Sequence, residues 1–309
     1  MARTVSIVMY HYVRPIKGTL FNRIKGLELE SFKKQLDYFS NKYEFITAED
    51  VINSVIHHSN LPENSMWLTF DDGYRDHYVY VLPELLKRNI QGSFFPPVKP
   101  VVDRELLNVN SIQHILASVD NIDQLLLDLS YYCNKLGIKD SDLRNLWDSC
   151  AVASRFDSKE VIYIKRLLQY ALPESIRREV VSILFKRYVG MQEAELADLL
   201  YMTVDEVKEL INAGMYVGSH GYCHLWLNKE NEYSQRTEIE CSLKFLSSIN
   251  ARTKNWIMCY PFGGYDNLTI KVLEELNCAV GLTSDIGIAN LDLNQSLKLP
   301  RFDTNDFRH

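Results

Sequence analysis

The chain has 309 residues, of which 46% are hydrophobic and 24% are charged, and its net charge is −6. This is the composition of an ordinary globular protein, and the acidic balance argues against general nucleic-acid binding, which needs a basic face. No apolar run is long enough for an integral membrane segment. The six cysteines form no Cys-x-x-Cys pair and the N-terminal sequence shows no export signal, so we expect free thiols and a cytoplasmic location.

Strand-like and helix-like segments alternate through the first hundred residues, which is typical of an α/β fold with parallel strands. A capping-box pattern at Thr47 to Asp50 predicts the start of one of the helices. The predicted strands span residues 5–10, 66–70 and 93–95, and the predicted helices span residues 31–39, 48–56 and 79–89.

The rhythm changes between residues 103 and 202, where helical periodicity replaces the strand signals. This stretch holds only two glycines, Gly137 and Gly190. Because structureless loops of this length are rare, we predict a helical insertion within a single domain that covers residues 1–309. A lid, a substrate platform, a surface for homo-oligomer formation and simple extra packing all remain open for it.

The α/β pattern resumes at Thr203 with a second capping box. About seven strand–helix units in total indicate an α/β fold closed as a barrel or a barrel-like wound sheet, in which chemistry takes place at the carboxyl ends of the strands. The later predicted strands span residues 215–219, 256–260, 279–283 and 297–302, and the later predicted helices span residues 204–212, 232–249 and 268–276.

Two adjacent acids, Asp71 and Asp72, follow the predicted strand 66–70 and precede Gly73. Successive strand residues point in opposite directions, so one acid can bind a metal while the other stays free as a base. An Asp-Asp-Gly sequence at a strand end is also a common turn, because Asp tolerates bends and Gly supplies a positive φ.

A His-x-x-x-His pair, His220 and His224, follows the predicted strand 215–219. An aspartate and two histidines can bind a divalent metal and leave a coordination position open. Either motif alone is more often structural. Since both motifs and His11 all lie at strand ends, their agreement favours one shared site.

These motifs resemble, in order, the first three motifs of the polysaccharide deacetylase family, which is carbohydrate esterase family four. The resemblance covers residues 1–100 and 203–309 and implies a distorted (β/α) barrel that removes N-acetyl groups from amino sugars with one metal ion. Three segments carry it: T-F-D-D-G at residues 69–73, S-H-G-Y-C-H at residues 219–224 and Y-P-F-G at residues 260–263.

The resemblance also implies roles for individual residues. Asp72, His220 and His224 would hold the metal, and Asp71 would be the general base that takes a proton from water. The backbone N–H of Phe262, which follows Tyr260 and Pro261, would help to stabilise the oxyanion. These segments would therefore form the oxyanion and substrate contacts.

The sequence departs from the family pattern in two places. The third motif usually opens with an arginine, where this chain has Cys259, and residues 297–299 lack the usual C-terminal histidine that acts as the acid. The stretch M-Y-H-Y-V around His11 resembles the subgroup with a permuted motif order, in which an N-terminal histidine is the acid. We therefore expect His11 to be the general acid, and Arg301 is a candidate to replace the missing arginine beside Asp71.

The expected function is a metal-dependent hydrolase that removes N-acetyl groups from an amino sugar in surface polysaccharide or glycan biosynthesis. Hydrolysis of another amide or an O-acetyl ester, and a non-catalytic metal-bearing sugar-binding role, remain as alternatives. Zinc suits the ligand set best, while nickel, cobalt and iron also fit it. The basic stretch Arg14, Lys17, Arg23 and Lys25 leaves open a phosphate-bearing sugar, nucleotide- or lipid-linked, as well as a solvated loop.

Overall fold

The computed structural model describes residues 3–293 and 295–307 and divides into two compact units. The sheet unit contains the described residues up to Pro15, Gly26–Arg104 and the described residues from Asp198 onward. The helical unit contains Ile16–Lys25 and Glu105–Ala197. Among the described residues, no helix is both long and apolar enough to cross a membrane.

All eleven strands lie in the sheet unit. They are β1 (Thr4–Tyr10), β2 (Val13–Arg14), β3 (Leu27–Glu28), β4 (Glu44–Phe45), β5 (Ser65–Asp71), β6 (Gly92–Phe95), β7 (Tyr216–Val217), β8 (Trp256–Cys259), β9 (Cys278–Leu282), β10 (Ala289–Asn290) and β11 (Phe302–Asp303), as far as the described residues extend.

Helices pack around the strands and also build the helical unit. They are α1 (Leu29–Ser40), α2 (Ala48–His57), α3 (Leu82–Arg88), α4 (Val98–Val102), α5 (Asn108–Ser118), α6 (Ile122–Lys135), α7 (Asp140–Cys150), α8 (Lys159–Arg166), α9 (Glu174–Tyr188), α10 (Glu193–Leu200), α11 (Val204–Asn212), α12 (Glu232–Ser248) and α13 (Asn267–Glu275).

The main sheet has the order β10-β1-β5-β6-β7, with β11 also paired to β1 and β4 also paired to β5. All of these pairs are parallel except β1 with β10. A separate parallel pair, β8 and β9, is linked to both sides by single bridges, Ser219 to Met258 and Leu282 to Leu299. The pairings lead from β1 round to β1 again, so this α/β fold is consistent with the predicted barrel.

Strand β5 lies at the centre of the main sheet, and all seven of its residues are buried. Its apolar sequence can be covered on both faces, as parallel sheets require. The ring of Phe70 is stacked between Tyr10, at 5.0 Å between ring centroids, and Phe94, at 4.9 Å. This aromatic layer supports the end of β5, where Asp71 lies.

The two predicted capping boxes, at Thr47 and Thr203, are confirmed at the starts of α2 and α11. The predicted strand over residues 297–302 is wrong in part. A 3₁₀ turn occupies Ser296–Lys298, and β11 begins only at Phe302. Pro300 explains the interruption, because it has no N–H to donate to a neighbouring strand.

Two other predicted elements differ at their ends. The helix predicted over residues 79–89 begins with a π-helical turn, His77–Val81, before α3. The strand predicted over residues 215–219 is reduced to β7, although Ser219 still pairs with Met258.

The helical unit has its own apolar core. The segment Ile16–Lys25 belongs to it, a feature that the sequence analysis does not predict; Phe21 packs edge-on against His114 at 4.7 Å. Whether both units form the single catalytic domain expected from the sequence stays a prediction. The buried side chains of this core include Ile112, Leu125, Leu129, Ile164, Leu168, Val180 and Leu184.

We expect the aromatic layer under the acid pair to be essential for folding. Replacing Phe70 with alanine should lower the free energy of unfolding by about 3–5 kcal/mol, because it empties a fully buried ring position. Val79→Ala, at a side chain that is 44% exposed, should change it by less than about 0.5 kcal/mol. Chemical denaturation would compare the two; similar losses would contradict the assignment.

Candidate metal centre and active site

The acid pair is separated by a sharp turn at the end of β5. Asp71 is the last strand residue, and Asp72 and Gly73 both take left-handed backbone conformations, with φ of 73° and 67°. A side chain at Gly73 would bring its Cβ to within 2.8 Å of Pro96 Cβ, so only glycine fits. The turn therefore directs Asp71 and Asp72 toward different partners.

Asp72, His220 and His224 converge in one buried cluster. Their ligand atoms all lie within 4.8 Å of one another. Asp72 Oδ1 is 3.4 Å from His220 Nε2 and 3.2 Å from His224 Nε2. His224 reaches this position because it takes a left-handed conformation, with φ of 59°, after the loop that follows β7.

These three residues fit a divalent metal ion. Bonds of about 2.0–2.1 Å in a tetrahedral arrangement place ligand atoms roughly 3.3–3.4 Å apart, which is close to the two separations in the cluster. One carboxylate and two imidazoles leave one tetrahedral position open, as in catalytic zinc sites. The donor set does not distinguish zinc from nickel, cobalt or iron.

The candidate ligands are oriented by a surrounding shell of hydrogen bonds. His220 Nδ1 lies 2.7 Å from the carbonyl oxygen of Cys259, which leaves its Nε2 facing Asp72. The hydroxyl of Tyr74 donates to Asp72 Oδ2 at 2.7 Å. Burial opposes the charge on Asp72, but hydrogen bonds from His220 and His224 outweigh it and hold its pKa well below the ordinary value.

A buried glutamate fixes the loop between the two histidines. Glu238 on α12 accepts the backbone N–H groups of Tyr222 at 3.0 Å and Cys223 at 2.8 Å. Both oxygens of the carboxylate accept from Cys223, which restrains the loop in two directions. Glu238 thus fixes the backbone of the loop, while the two histidines at its ends face Asp72.

Asp71 forms a two-point ion pair with Arg301. The guanidinium lies 2.9 Å from Asp71 Oδ1 and 2.8 Å from Oδ2, and it also donates to Thr69 Oγ1 and to the carbonyl oxygen of Thr283. Both ion-pair side chains are only 2% exposed. Burial would raise the pKa of Asp71, but Arg301, assisted by the nearby histidines, holds it below the ordinary value.

His11 reaches the same place from the end of β1. Its Nε2 lies 3.9 Å from Asp71 Oδ2, and its side chain is 41% exposed. A hydrogen bond fixes the backbone of His11, because His77 Nε2 donates to its carbonyl oxygen at 2.8 Å. Burial lowers the pKa of His77 to about 4, so this imidazole is neutral at physiological pH.

The third predicted motif lies next to the histidine cluster. Phe262 has a φ of 57°, and its ring lies between His224, at 4.6 Å, and Trp226, at 4.8 Å. Pro261 is buried before it. The hydroxyl of Tyr260 instead donates to the carbonyl oxygen of Leu297 at 2.7 Å, so it is occupied in the core.

A second group of potential ligands, Asp71, His220 and Cys259, also lies within 4.8 Å. Here both carboxylate oxygens of Asp71 already pair with Arg301. Burial raises the pKa of the Cys259 thiol, so this thiol stays protonated. The cluster around Asp72 is therefore the better metal site among the described residues.

Three residues of the basic stretch, Arg14, Arg23 and Lys25, form ion pairs with acidic side chains. Arg14 pairs with Asp76 at 2.6 Å in the sheet unit. In the helical unit, Arg23 pairs with Asp120 and Lys25 with Asp157. The structure therefore gives no support to a phosphate-binding role for these three residues.

Several residues of the site were not identified from the sequence. Glu238 has a usable signal, since an acid on the buried face of a helix, beside Ile239 and Ser242, needs a polar partner. Tyr74 and Trp226 give no local signal, because aromatic residues next to a turn are most often ordinary core residues.

Comparison with known proteins gives matches to part of the sequence and to the fold. Residues 175–281 match the polysaccharide deacetylase family model. A putative polysaccharide deacetylase of Bacillus subtilis, YxkH, is 29% identical over 92 residues, which is 30% of this chain and 33% of YxkH. The match thus spans about a third of that relative, and the family match includes His220 and His224 but not the acid pair.

Solved structures resemble the chain over nearly its whole length. The deacetylase PplD of Streptococcus pyogenes, solved with acetate, has a TM-score of 0.62 at 18% identity and covers 98% of this chain and 93% of its own. IcaB of Ammonifex degensii has a TM-score of 0.57 at 14% identity, with 98% and 93% coverage. The BpsB deacetylase domain of Bordetella bronchiseptica has 0.55 at 14%, with 97% and 96% coverage.

At these identities the structural matches show the fold, which is the α/β fold of the family-four carbohydrate esterases. The site adds a candidate metal centre at the ends of the strands of this fold. The family match is narrower than the fold match: residues 175–281 are similar to polysaccharide deacetylases.

The Asp71–Arg301 pair should make a measurable contribution to the pH dependence of stability. Arg301→Leu leaves a buried carboxylate unpaired, so we expect a loss of about 3–5 kcal/mol in unfolding free energy at pH 7.5. In the wild type, the depressed pKa of Asp71 keeps the pair intact until the pH falls through that pKa. In the variant, only the nearby histidines still oppose the effect of burial, so the pKa of Asp71 should rise and its protonation at pH 5 should relieve part of the penalty.

Denaturant titrations of both proteins at the two pH values, with chelator present, would measure this difference. The matched control is Arg75→Leu, because Arg75 pairs with Glu206 at 2.9 Å but its side chain is 48% exposed. The control should lose no more than about 1 kcal/mol at either pH. An Arg301→Leu penalty that is equal at both pH values would contradict the account.

Proposed function

We propose that this protein is a metal-dependent hydrolase that removes the N-acetyl group from an amino sugar of a surface polysaccharide or glycan. One observation supports the proposal most: Asp72, His220 and His224 converge beside Asp71, which pairs with Arg301, at strand ends of a chain whose residues 175–281 match the polysaccharide deacetylase family model. Zinc is the proposed metal. If the protein works in the cytoplasm, its substrate is a precursor or a lipid-linked unit and not a finished extracellular polymer.

Asp72, His220 and His224 are the proposed metal ligands. They would hold a divalent ion, which would supply Lewis-acid chemistry by lowering the pKa of water and polarising the acetyl carbonyl. Asp71 takes the proton from the attacking water, since it is ionised and does not belong to the ligand set. Arg301 is the proposed base-tuning residue, because its guanidinium keeps Asp71 charged and fixes both carboxylate oxygens.

His11 is the proposed general acid that gives a proton to the leaving amine nitrogen. Its Nε2 is close to Asp71 and partly open to solvent, so it can reach the substrate and exchange its proton. The N–H of Phe262 is the proposed donor to the developing oxyanion. Tyr260 and Pro261 support it by holding the turn, since the hydroxyl of Tyr260 is committed to Leu297.

The decisive experiment measures acetate release by the purified protein from N-acetylhexosamine oligomers, nucleotide sugars and O-acetyl esters, with and without a chelator. We expect release from an N-acetylated sugar that chelator abolishes and zinc restores. Stoichiometric metal without release from any compound would contradict the proposal and favour a sugar-binding role.

Two substitutions should separate the base from the ligands. Asp71→Asn should lower kcat by about 10²–10⁴-fold while metal content stays near one per chain, because the base is lost but the cluster remains. His220→Ala should lose both metal and activity. Metal analysis and acetate release would be measured on the same samples, and an active Asp71→Asn variant would remove Asp71 from its role.

His11→Ala should discriminate between substrates by their leaving groups. An amine must be protonated to leave, whereas the phenolate of an aryl acetate leaves without a proton. The loss of kcat should therefore be about 10²–10⁴-fold on an N-acetyl sugar and small on an aryl acetate. The comparison needs equal metal content in both proteins. Equal losses on the two substrates would show that His11 does not act as the acid.

A further inference from the structure

Residues 74–77, here called the anchor turn, follow the acid pair directly and contact both parts of the site. The turn leads into the π-helical turn His77–Val81, and such distortions are frequent at functional sites. Its contacts run in two directions, toward the candidate metal ligand Asp72 and toward the segment that carries His11.

The contact with Asp72 is made by a fully buried tyrosine. The hydroxyl of Tyr74 donates to Asp72 Oδ2 at 2.7 Å, while the other oxygen, Oδ1, faces the two histidines. A carboxylate engaged in this way offers only one oxygen to a metal. Partners of this kind orient ligands and contribute measurably to metal affinity.

The contacts with the His11 segment are made at three successive points. His77 Nε2 donates to the carbonyl oxygen of His11 at 2.8 Å. The ring of Tyr74 stacks on Tyr12 at 4.0 Å and 13°. Asp76, which is 5% exposed, pairs with Arg14 at 2.6 Å. The segment that follows β1 is therefore fixed along its length.

His77 itself indicates a positioning role. It is 0% exposed and lies among the rings of Phe70, Tyr74 and Phe94. Since Nε2 donates to a carbonyl, Nδ1 carries no proton, and it has no hydrogen-bond partner among residues 3–293 and 295–307. A buried polar atom without a partner is costly, so a purely apolar ring would pack better here.

We propose that the anchor turn is a positioning element for both halves of the site: Tyr74 sets the orientation of Asp72, and His77 sets the backbone position of His11. The inference rests on the proposed function, which assigns these two residues as metal ligand and general acid. The contact of Tyr74 with Asp72 and the contact of His77 with His11 come from one turn, but they affect metal affinity and the position of His11 separately.

The first test concerns metal affinity. Tyr74→Phe removes the hydroxyl, with its hydrogen bonds to Asp72 and Tyr12, but keeps the ring stack on Tyr12. Zinc affinity should therefore fall about 10–100-fold in competition with a chromophoric chelator. The visible spectrum of the cobalt-substituted variant should also change, because Asp72 Oδ2 becomes free to coordinate. Tyr78→Phe is the matched control, since its hydroxyl donates to Glu209. Wild-type zinc affinity and cobalt spectrum in Tyr74→Phe would overturn the Tyr74 assignment.

The second test concerns His11. His77→Phe should keep zinc affinity within about twofold of the wild type but shift the ring signals of His11 in NMR spectra, which are assigned by their loss in His11→Ala. His77→Gln should restore the wild-type positions of these signals, because its amide nitrogen can donate to the carbonyl oxygen of His11 in place of Nε2. If His77→Phe does not fold, His77→Leu tests the same bond. Unchanged His11 signals, or a loss of zinc affinity like that of Tyr74→Phe, would overturn the proposal.

A kinetic comparison links these effects to catalysis. His77→Phe should lower kcat on the N-acetyl sugar at least tenfold with little change in KM, and it should have no further effect in a His11→Ala background. An additive effect would contradict action through His11. Zinc affinity and ring signals need no hydrolysis, so a protein without deacetylase activity would overturn the proposed function but leave both other tests decisive.

Discussion

The site depends on keeping two adjacent carboxylates ionised inside the protein. Burying one unpaired charge is expensive, and two neighbouring charges also repel each other. The chain meets this constraint by giving each acid its own partners. Arg301 neutralises Asp71, whereas His220, His224 and the hydroxyl of Tyr74 satisfy Asp72.

The same constraint explains why distant segments meet at this point. The left-handed turn at Asp72 and Gly73 separates the two carboxylates, and Gly73 fits there because Pro96 leaves no room for a side chain. Parallel strands bring their carboxyl ends to one edge, so His11, the acid pair and the loop after β7 arrive together. The segment between β10 and β11 supplies Arg301, which pairs with Asp71.

The separation of the two acids also separates their chemistry. Asp72 is directed at the histidines and suits metal binding, while Asp71 is held by a guanidinium that keeps it charged without placing it in the ligand set. His11 lies on the solvent side of Asp71, where a proton donor can exchange with water. The proposed base, acid and metal ligands are therefore separate groups with different partners.

Local patterns predicted the parts of this structure that are set by local interactions. The apolar run before Asp71 predicts β5, and the capping boxes at Thr47 and Thr203 predict the starts of α2 and α11. The motifs singled out Asp72, His220 and His224, which the structure brings together, and their role as metal ligands stays a prediction. Packing between distant segments was less accessible: Arg301 could be named only as a candidate, because an arginine after a proline has no local signature of burial.

Other features were missed for the same reason. The two-residue strands β4 and β10 are too short to show periodicity. They pair with the first residues of β5 and β1, where the partner strand β6 does not yet reach β5 and β11 does not yet reach β1. The membership of Ile16–Lys25 in the helical unit rests on contacts with residues about a hundred positions away. Tyr74 and Glu238 act through hydrogen bonds to the ligand and its loop, which no spacing rule describes.

Anomalous diffraction from crystals grown with zinc and acetate would locate the metal directly. We expect one peak, bonded to Asp72 Oδ1, His220 Nε2 and His224 Nε2 at about 2.0–2.2 Å, with Asp71 still paired to Arg301. A metal bonded to Asp71, a peak at Cys259, or no peak within reach of the two histidines would contradict this expectation.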